Sequence, residues 1–191
     1  MKKYIVAFAI ALSSLAVSGQ EVIWKMTYDV GFPLSSTKDF AGQVSWRGLS
    51  LDMDRFVTEN LALGTTFAWS VFLEKESDSY YERGDVLMHG TQVRYVNNIP
   101  LLARISYYLP ADMLEPFISL GVGTSWQETR REIGTFAFVG NYWQFALRPE
   151  IGVIVPMGNS YGTAKVSYTQ GFKTDNAPAL SYLSLGLGFA W

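Results

Sequence analysis

The chain has 191 residues, a length that suggests one domain, and is 49% hydrophobic and 15% aromatic but only 17% charged, against roughly 25% charged in average proteins. A net charge of −2 without a basic block gives no support to nucleic-acid binding, and the absence of cysteine removes a disulfide framework, thiolate metal sites and a lipid-bearing cysteine anchor. Beyond the N-terminus no apolar run approaches the ~20 residues of a spanning helix, so the hydrophobicity is dispersed along the chain.

In chain order, Met1-Lys2-Lys3 is a short cationic start, Tyr4 to Leu12 is apolar, and Val17-Ser18-Gly19 offers small residues before Gln20. This three-part pattern predicts a secretory signal peptide over residues 1–19, leaving residues 20–191 as the mature domain.

From Glu21 the dominant period is two. Trp24, Met26, Tyr28, Val30 and Phe32 share one parity, with Lys25, Thr27, Asp29 and Gly31 on the other. In a strand these parities face opposite ways. A second strand is predicted over Val44 to Arg55, with a phase change that a bulge at Gly48 would accommodate. Leu61 to Leu73 alternates cleanly. Thr91 to Leu109 is a fourth strand, in which Pro100 marks a kink or a poorly paired position. Ile118 to Trp126, Gln144 to Val155, Ala164 to Phe172 and Leu183 to Trp191 complete the set.

The connections alternate too. Val57 to Asn60, Pro110 to Glu115 and Pro156 to Ser160 are short. Ser35 to Ala41, Glu74 to Gly90, Gln127 to Thr135 and Lys173 to Ala179 are more polar and often longer. An even strand count with short turns at one end predicts an all-β fold: an eight-stranded antiparallel up-and-down transmembrane β-barrel preceded by the signal peptide. A soluble sandwich would carry charged residues on its outer parity. Here the non-apolar parity is mostly Gly, Ala, Ser and Thr, which suits a narrow lumen, and Trp24, Trp69, Trp126, Tyr161 and Trp191 suit interfacial girdles.

Residues 20–191 resemble the outer-membrane β-barrel domain proteins of Bacteroidetes-type bacteria, related in architecture to OmpX- and OmpW-like barrels. The resemblance is carried by Glu59-Asn60-Leu61-Ala62-Leu63-Gly64, by Asn98-Ile99-Pro100-Leu101-Leu102-Ala103 leading to Tyr107-Tyr108, and by Pro116 to Gly123. Pro149-Glu150-Ile151-Gly152-Val153 and Leu185-Gly186-Leu187-Gly188-Phe189 add to it. It implies export to the cell outer membrane, lipid as surroundings, and a closing strand read by the barrel-assembly machinery. Such strands commonly end in Phe; this one ends in Trp191.

Lys25, Asp29, Arg47, Asp52, Arg94, Arg104, Arg148, Glu150 and Lys165 fall on the lumen side of the predicted strands. They read either as a polar conduit or as a paired network filling an interior only just wide enough for side chains, and the second reading is preferred. His89, the one histidine, ends the longest predicted loop among Glu74, Glu76, Asp78, Glu82 and Asp85. No Ser–His or calcium-loop spacing surrounds it, so a lipid A-modifying enzyme and a cation site are the lesser readings. Tyr80, Tyr81, His89, Phe136 and Phe138 are candidate loop contacts for a partner or glycan. Gly121-Val122-Gly123 and Gly186-Leu187-Gly188 lie in strands with no following helix, which removes a dinucleotide site. The expectation is a non-enzymatic, cofactor-free, monomeric barrel with a structural or surface-interaction role, with transport of small or hydrophobic compounds as the alternative.

Overall fold

The computed structural model describes residues 21–191 except 84, 85, 112, 135, 159, 175 and 176, and describes no side chain between 78 and 89. The expected leader, residues 1–19, lies outside the described residues. Eight described strands form one closed barrel in sequence order: β1 Val22–Leu34, β2 Gly48–Phe56, β3 Leu61–Arg83, β4 Val86–Tyr108, β5 Glu115–Ile133, β6 Phe136–Met157, β7 Ser160–Gly171 and β8 Leu180–Ala190. Every neighbouring pair is antiparallel, and β1 closes on β8 from Lys25 opposite Ala190 to Leu34 opposite Ser181.

The period of two sets the faces. In β1, Lys25, Thr27 and Asp29 are buried while Met26 and Tyr28 are exposed; in β2, Ser50, Asp52 and Asp54 are buried. Large apolar side chains therefore cover the outside, among them Phe67, Leu101, Ile105, Ile118, Ile151 and Leu187. The inside takes small, polar and charged groups, with a few aromatics.

Three sequence expectations change. The second strand starts at Gly48, not Val44, because Trp46 and Arg47 are successive exposed residues and the alternation breaks there. The phase change precedes the strand instead of bulging within it. Ser35 to Ala41 is not plain loop: Ser35–Phe40 is a short helix, α1, which begins where Ser35 takes φ 45°. Most of the two longest predicted loops is strand. β3 and β4 pair as far as Arg83 opposite Val86, and β5 and β6 turn at Gly134 with φ 57°. Their polar residues pair across the ladder, as Glu74 does with Arg94 and Gln127 with Tyr142, with a register shift in β3–β4 between Glu76 and Ser79. At Pro100 the expected irregularity is one-sided. The β3–β4 register stops at Phe67 opposite Leu101 and resumes at Ser70 opposite Asn98, while β4–β5 continues through Pro100 opposite Ser125.

These lengths give the barrel a lopsided shape. β3 to β6 have 19 to 23 residues, whereas β1, β2, β7 and β8 have 9 to 13. β2 pairs with β3 only as far as Ser70, and β7 pairs with β6 only from Ala146 onward. The upper parts of β3, β4, β5 and β6 thus project beyond the barrel as a four-stranded sheet.

Candidate functional site

The lumen is built in layers. At the short-turn end Ala62, Tyr108, Phe117, Ile154 and Ala190 form a buried apolar cluster, with Ile23 and Phe56 packed on it. Phe56 and Tyr108 have ring centroids 4.9 Å apart, and Tyr108 and Phe117 5.5 Å. At the long-hairpin end Ala41, Phe72, Val96, Leu180 and Tyr182 form a second cluster, under Phe40 of α1.

Between them lies a layer of charge. Four cations (Lys25, Arg104, Arg148, Lys165) face four carboxylates (Asp29, Asp52, Asp54, Glu150), all buried. Arg104 is the hub: its guanidinium is 2.8 Å from Asp52, 3.1 Å from Asp54 and 3.1 Å from Glu150, and it also donates to Ser119 at 2.8 Å. Lys165 bridges Asp52 at 2.5 Å and Glu150 at 3.2 Å. Lys25 donates to Asp54 at 2.6 Å and lies 4.0 Å above the Phe117 ring, and the Tyr108 hydroxyl donates to the same carboxylate at 2.6 Å. Thr66 donates to Asp52 at 2.7 Å. Removing such charges from water is expensive, and equal numbers of each sign in contact are what make the layer tolerable, although the buried Nε and Nη1 of Arg148 find no hydrogen-bond partner among the described residues. Room comes from small residues: a Cβ on Gly186 would stand 2.5 Å from Asp29 Oδ1.

Two vestibules flank this layer. One of about 1180 Å³ opens at the short-turn end, over Tyr108, Phe56 and Ile154, with Glu21, Glu59 and Glu115 at its edge. The other, about 430 Å³, lies under α1 among Phe40, Val96, Tyr142, Pro178 and Leu180. None of the eight charged residues lines either one.

Seven of the nine sequence-predicted lumen residues come together here: Lys25, Asp29, Asp52, Arg104, Arg148, Glu150 and Lys165. Arg47 does not. It is exposed ahead of β2, where the alternation has not yet begun. Arg94 keeps the inward parity but sits in the projecting sheet, 2.9 Å from Glu76 and 3.7 Å from Glu74. Asp54, Tyr108 and Phe72 were missed, although each shares the parity of a neighbour already read as inward or non-apolar: Asp52, Arg104 and Ser70. Of the expected loop contacts, Phe136 is exposed and Phe138 half-buried on β6. Tyr80 pairs with His89 across β3 and β4, and Tyr81 with Met88; the side chains of Tyr80, Tyr81 and His89 lie outside the described residues. Among the described residues no group of three or more His, Cys, Asp or Glu is arranged to hold a metal ion.

No protein-family model matches the chain, and no curated protein does. Among solved structures it is similar to Neisserial surface protein A, with 13% identity over 91% of this chain and 96% of that one and a TM-score of 0.54. It is also similar to Ail, the attachment invasion locus protein of Yersinia pestis, with 9% identity, 90% and 97% coverage and a TM-score of 0.48. A third similarity is to the N-terminal β-barrel domain of Pseudomonas aeruginosa OprF, with 15% identity, 91% and 100% coverage and a TM-score of 0.46. What this chain shares with the Neisserial protein at that identity is the closed β-barrel fold.

Proposed function

We propose that this chain is a non-enzymatic bacterial outer-membrane barrel, closed to solute flow by its own interior, that holds the β3–β6 sheet outside the cell as a surface for interaction. The observation that carries this reading is the eight-charge layer locked between two apolar clusters. An interior with every charge paired is built to be full.

The outer surface supports the membrane setting. On β4 the outward residues from Tyr107 to Ile99 are Ile105, Ala103 and Leu101, and Asn97 ends the run. About ten residues of tilted strand span the ~25 Å apolar band of such barrels. Aromatic side chains stand at both borders: Trp24, Tyr107, Tyr161 and Trp191 at the short-turn end, and Trp46, Trp69, Trp126 and Trp143 at the other. A lipid-facing barrel needs this arrangement, because closure leaves no unpaired backbone in hydrocarbon. The motifs read from the sequence support membership among Bacteroidetes-type barrels, and Leu185, Leu187, Phe189 and Trp191 on the closing strand form the segment for the assembly machinery to read. The two vestibules would suit a transporter, but the charged layer stands between them and favours the closed reading.

The absence of native cysteine makes a direct test simple. Ser77→Cys, in the projecting sheet, should react with an impermeant maleimide on intact cells. Glu59→Cys, in the β2–β3 turn, should react only after the outer membrane is permeabilised. The opposite pattern, or labelling of both in intact cells, would reject this orientation.

A further inference from the structure

The two ends of the barrel carry charge differently. The long hairpins mix both signs, as in Glu74, Lys75, Glu76 and Arg94. The short connections 57–60, 110–115 and 156–160 contain Glu59, Asp112 and Glu115 and no Lys or Arg. The vestibule of about 1180 Å³ opens among them. Of the described residues lining it, Glu21, Glu59 and Glu115 are acidic and none is basic. All three are exposed, and none has an ion-pair partner among the described residues. The cations next along the lining strands face elsewhere. Lys25 is fully buried and held 2.6 Å from Asp54, and Arg55 shares the outward parity of Leu51 and Met53.

The acids are dispersed, and the floor between them is apolar. Glu21 precedes β1, Glu59 lies between β2 and β3, and Glu115 opens β5, so they span half the circumference of an eight-stranded barrel. With neighbouring strands ~4.8 Å apart, that spread exceeds the reach of one ammonium group. Phe56, Tyr108 and Ile154 line the bottom, and the Tyr108 ring is fixed by its hydroxyl donating to Asp54 at 2.6 Å. The volume also exceeds the ~300–1,000 Å³ of ordinary small-molecule pockets.

The geometry points to this mouth as a docking site for a basic segment of another protein. Its Lys or Arg residues meet the dispersed rim acids, and one aromatic side chain among them fills the apolar floor. Opposite charge steers the encounter, and a buried anchor slows release. Other occupants match less well. A second copy brings the same acidic mouth, and like charges oppose it. An anionic lipid headgroup meets the same repulsion. Residues 1–19 include Lys2 and Lys3, but the signal-peptide reading removes them. The inference rests on the orientation proposed above, which puts this mouth on the inner side of the outer membrane and the partner in the periplasm.

Fluorescence anisotropy on the barrel purified from outer membranes into zwitterionic detergent tests it. The probe is a dye-bearing, capped Lys-Lys-Trp-Lys-Lys peptide. It should bind, replacing its Trp by Ser should weaken binding about tenfold, and replacing each Lys by Glu should abolish it. Combining Glu21→Gln, Glu59→Gln and Glu115→Gln, all at exposed positions, should weaken the Lys peptide by about tenfold or more. Ala111→Trp, which fills the mouth from its exposed rim, should erase the difference between the Trp and Ser peptides. Hydrogen exchange on the complex should show protection at 57–60 and 110–115. The inference is overturned by no binding, by equal binding of the Ser or the Glu peptide, by undiminished binding to the Gln variant, or by protection of the β3–β6 hairpins instead. Binding that appears only after removal of a leader detected by intact mass would overturn it too, because that leader would then be the occupant. Peptide binding at a mouth that cysteine labelling places outside the cell would refute the orientation and leave the site standing, whereas no binding with the expected labelling would refute the site alone.

Discussion

Arg94 and Arg104 lie ten residues apart on β4 with the same inward parity, and both meet carboxylates, yet they belong to different regimes. Arg104 is 2% exposed and touches three acids that are no more exposed than itself. Arg94 is 16% exposed, and its nearer partner Glu76 is 51% exposed. One stands in a sealed barrel and the other in a sheet open to water. Where water is absent, the partner left behind by a deletion has nothing to solvate it; where water is present, it has. The same chemical pair is therefore structural in one place and nearly incidental in the other.

Substitutions make this contrast measurable through urea-driven refolding equilibria in phospholipid vesicles. Arg104→Ala should have the largest effect, destabilising the barrel by about 3–5 kcal/mol because three buried carboxylates lose their shared cation. Phe72→Ala, which empties the centre of the upper cluster, should cost about 3 kcal/mol or more through lost burial and a cavity. Lys25→Met and Asp54→Asn should each destabilise strongly when made alone. The double variant should cost less than the sum of the two, since neither polar partner is then left facing an absent one. Leu120→Arg, on the outward face, should cost about 2–4 kcal/mol in vesicles if that face meets the bilayer midplane. Arg94→Ala should change stability by about 1 kcal/mol or less. An Arg94→Ala effect as large as that of Arg104→Ala would erase the distinction between the two regions.

The barrel was legible because a closed sheet with large apolar side chains outside and a narrow polar core inside imposes a strict two-residue period. Lys25, Asp29 and Asp52 could be read as inward from their neighbours Met26, Tyr28 and Leu51. Arg47 was misplaced because the same rule was extended across Trp46 into a segment that is not strand. The projecting sheet was hidden by composition. Glu74 to Gly90 is polar enough to read as loop, but it pairs on, with Glu74 opposite Arg94 and Lys75 opposite Val93, and after a register shift between Glu76 and Ser79 it pairs again. Which cation meets which acid could not be read at all. Arg104 and Glu150 are 46 residues apart, and only closure of the barrel brings them together.

The central claim, a lumen sealed by its own charges, is tested most directly by planar-bilayer recording of the refolded protein. The wild-type barrel should insert without steady ionic current across a range of voltages. Stable, ohmic channels from the wild-type protein would mean that the eight-charge layer leaves a continuous aqueous path, and the closed-barrel reading would fail.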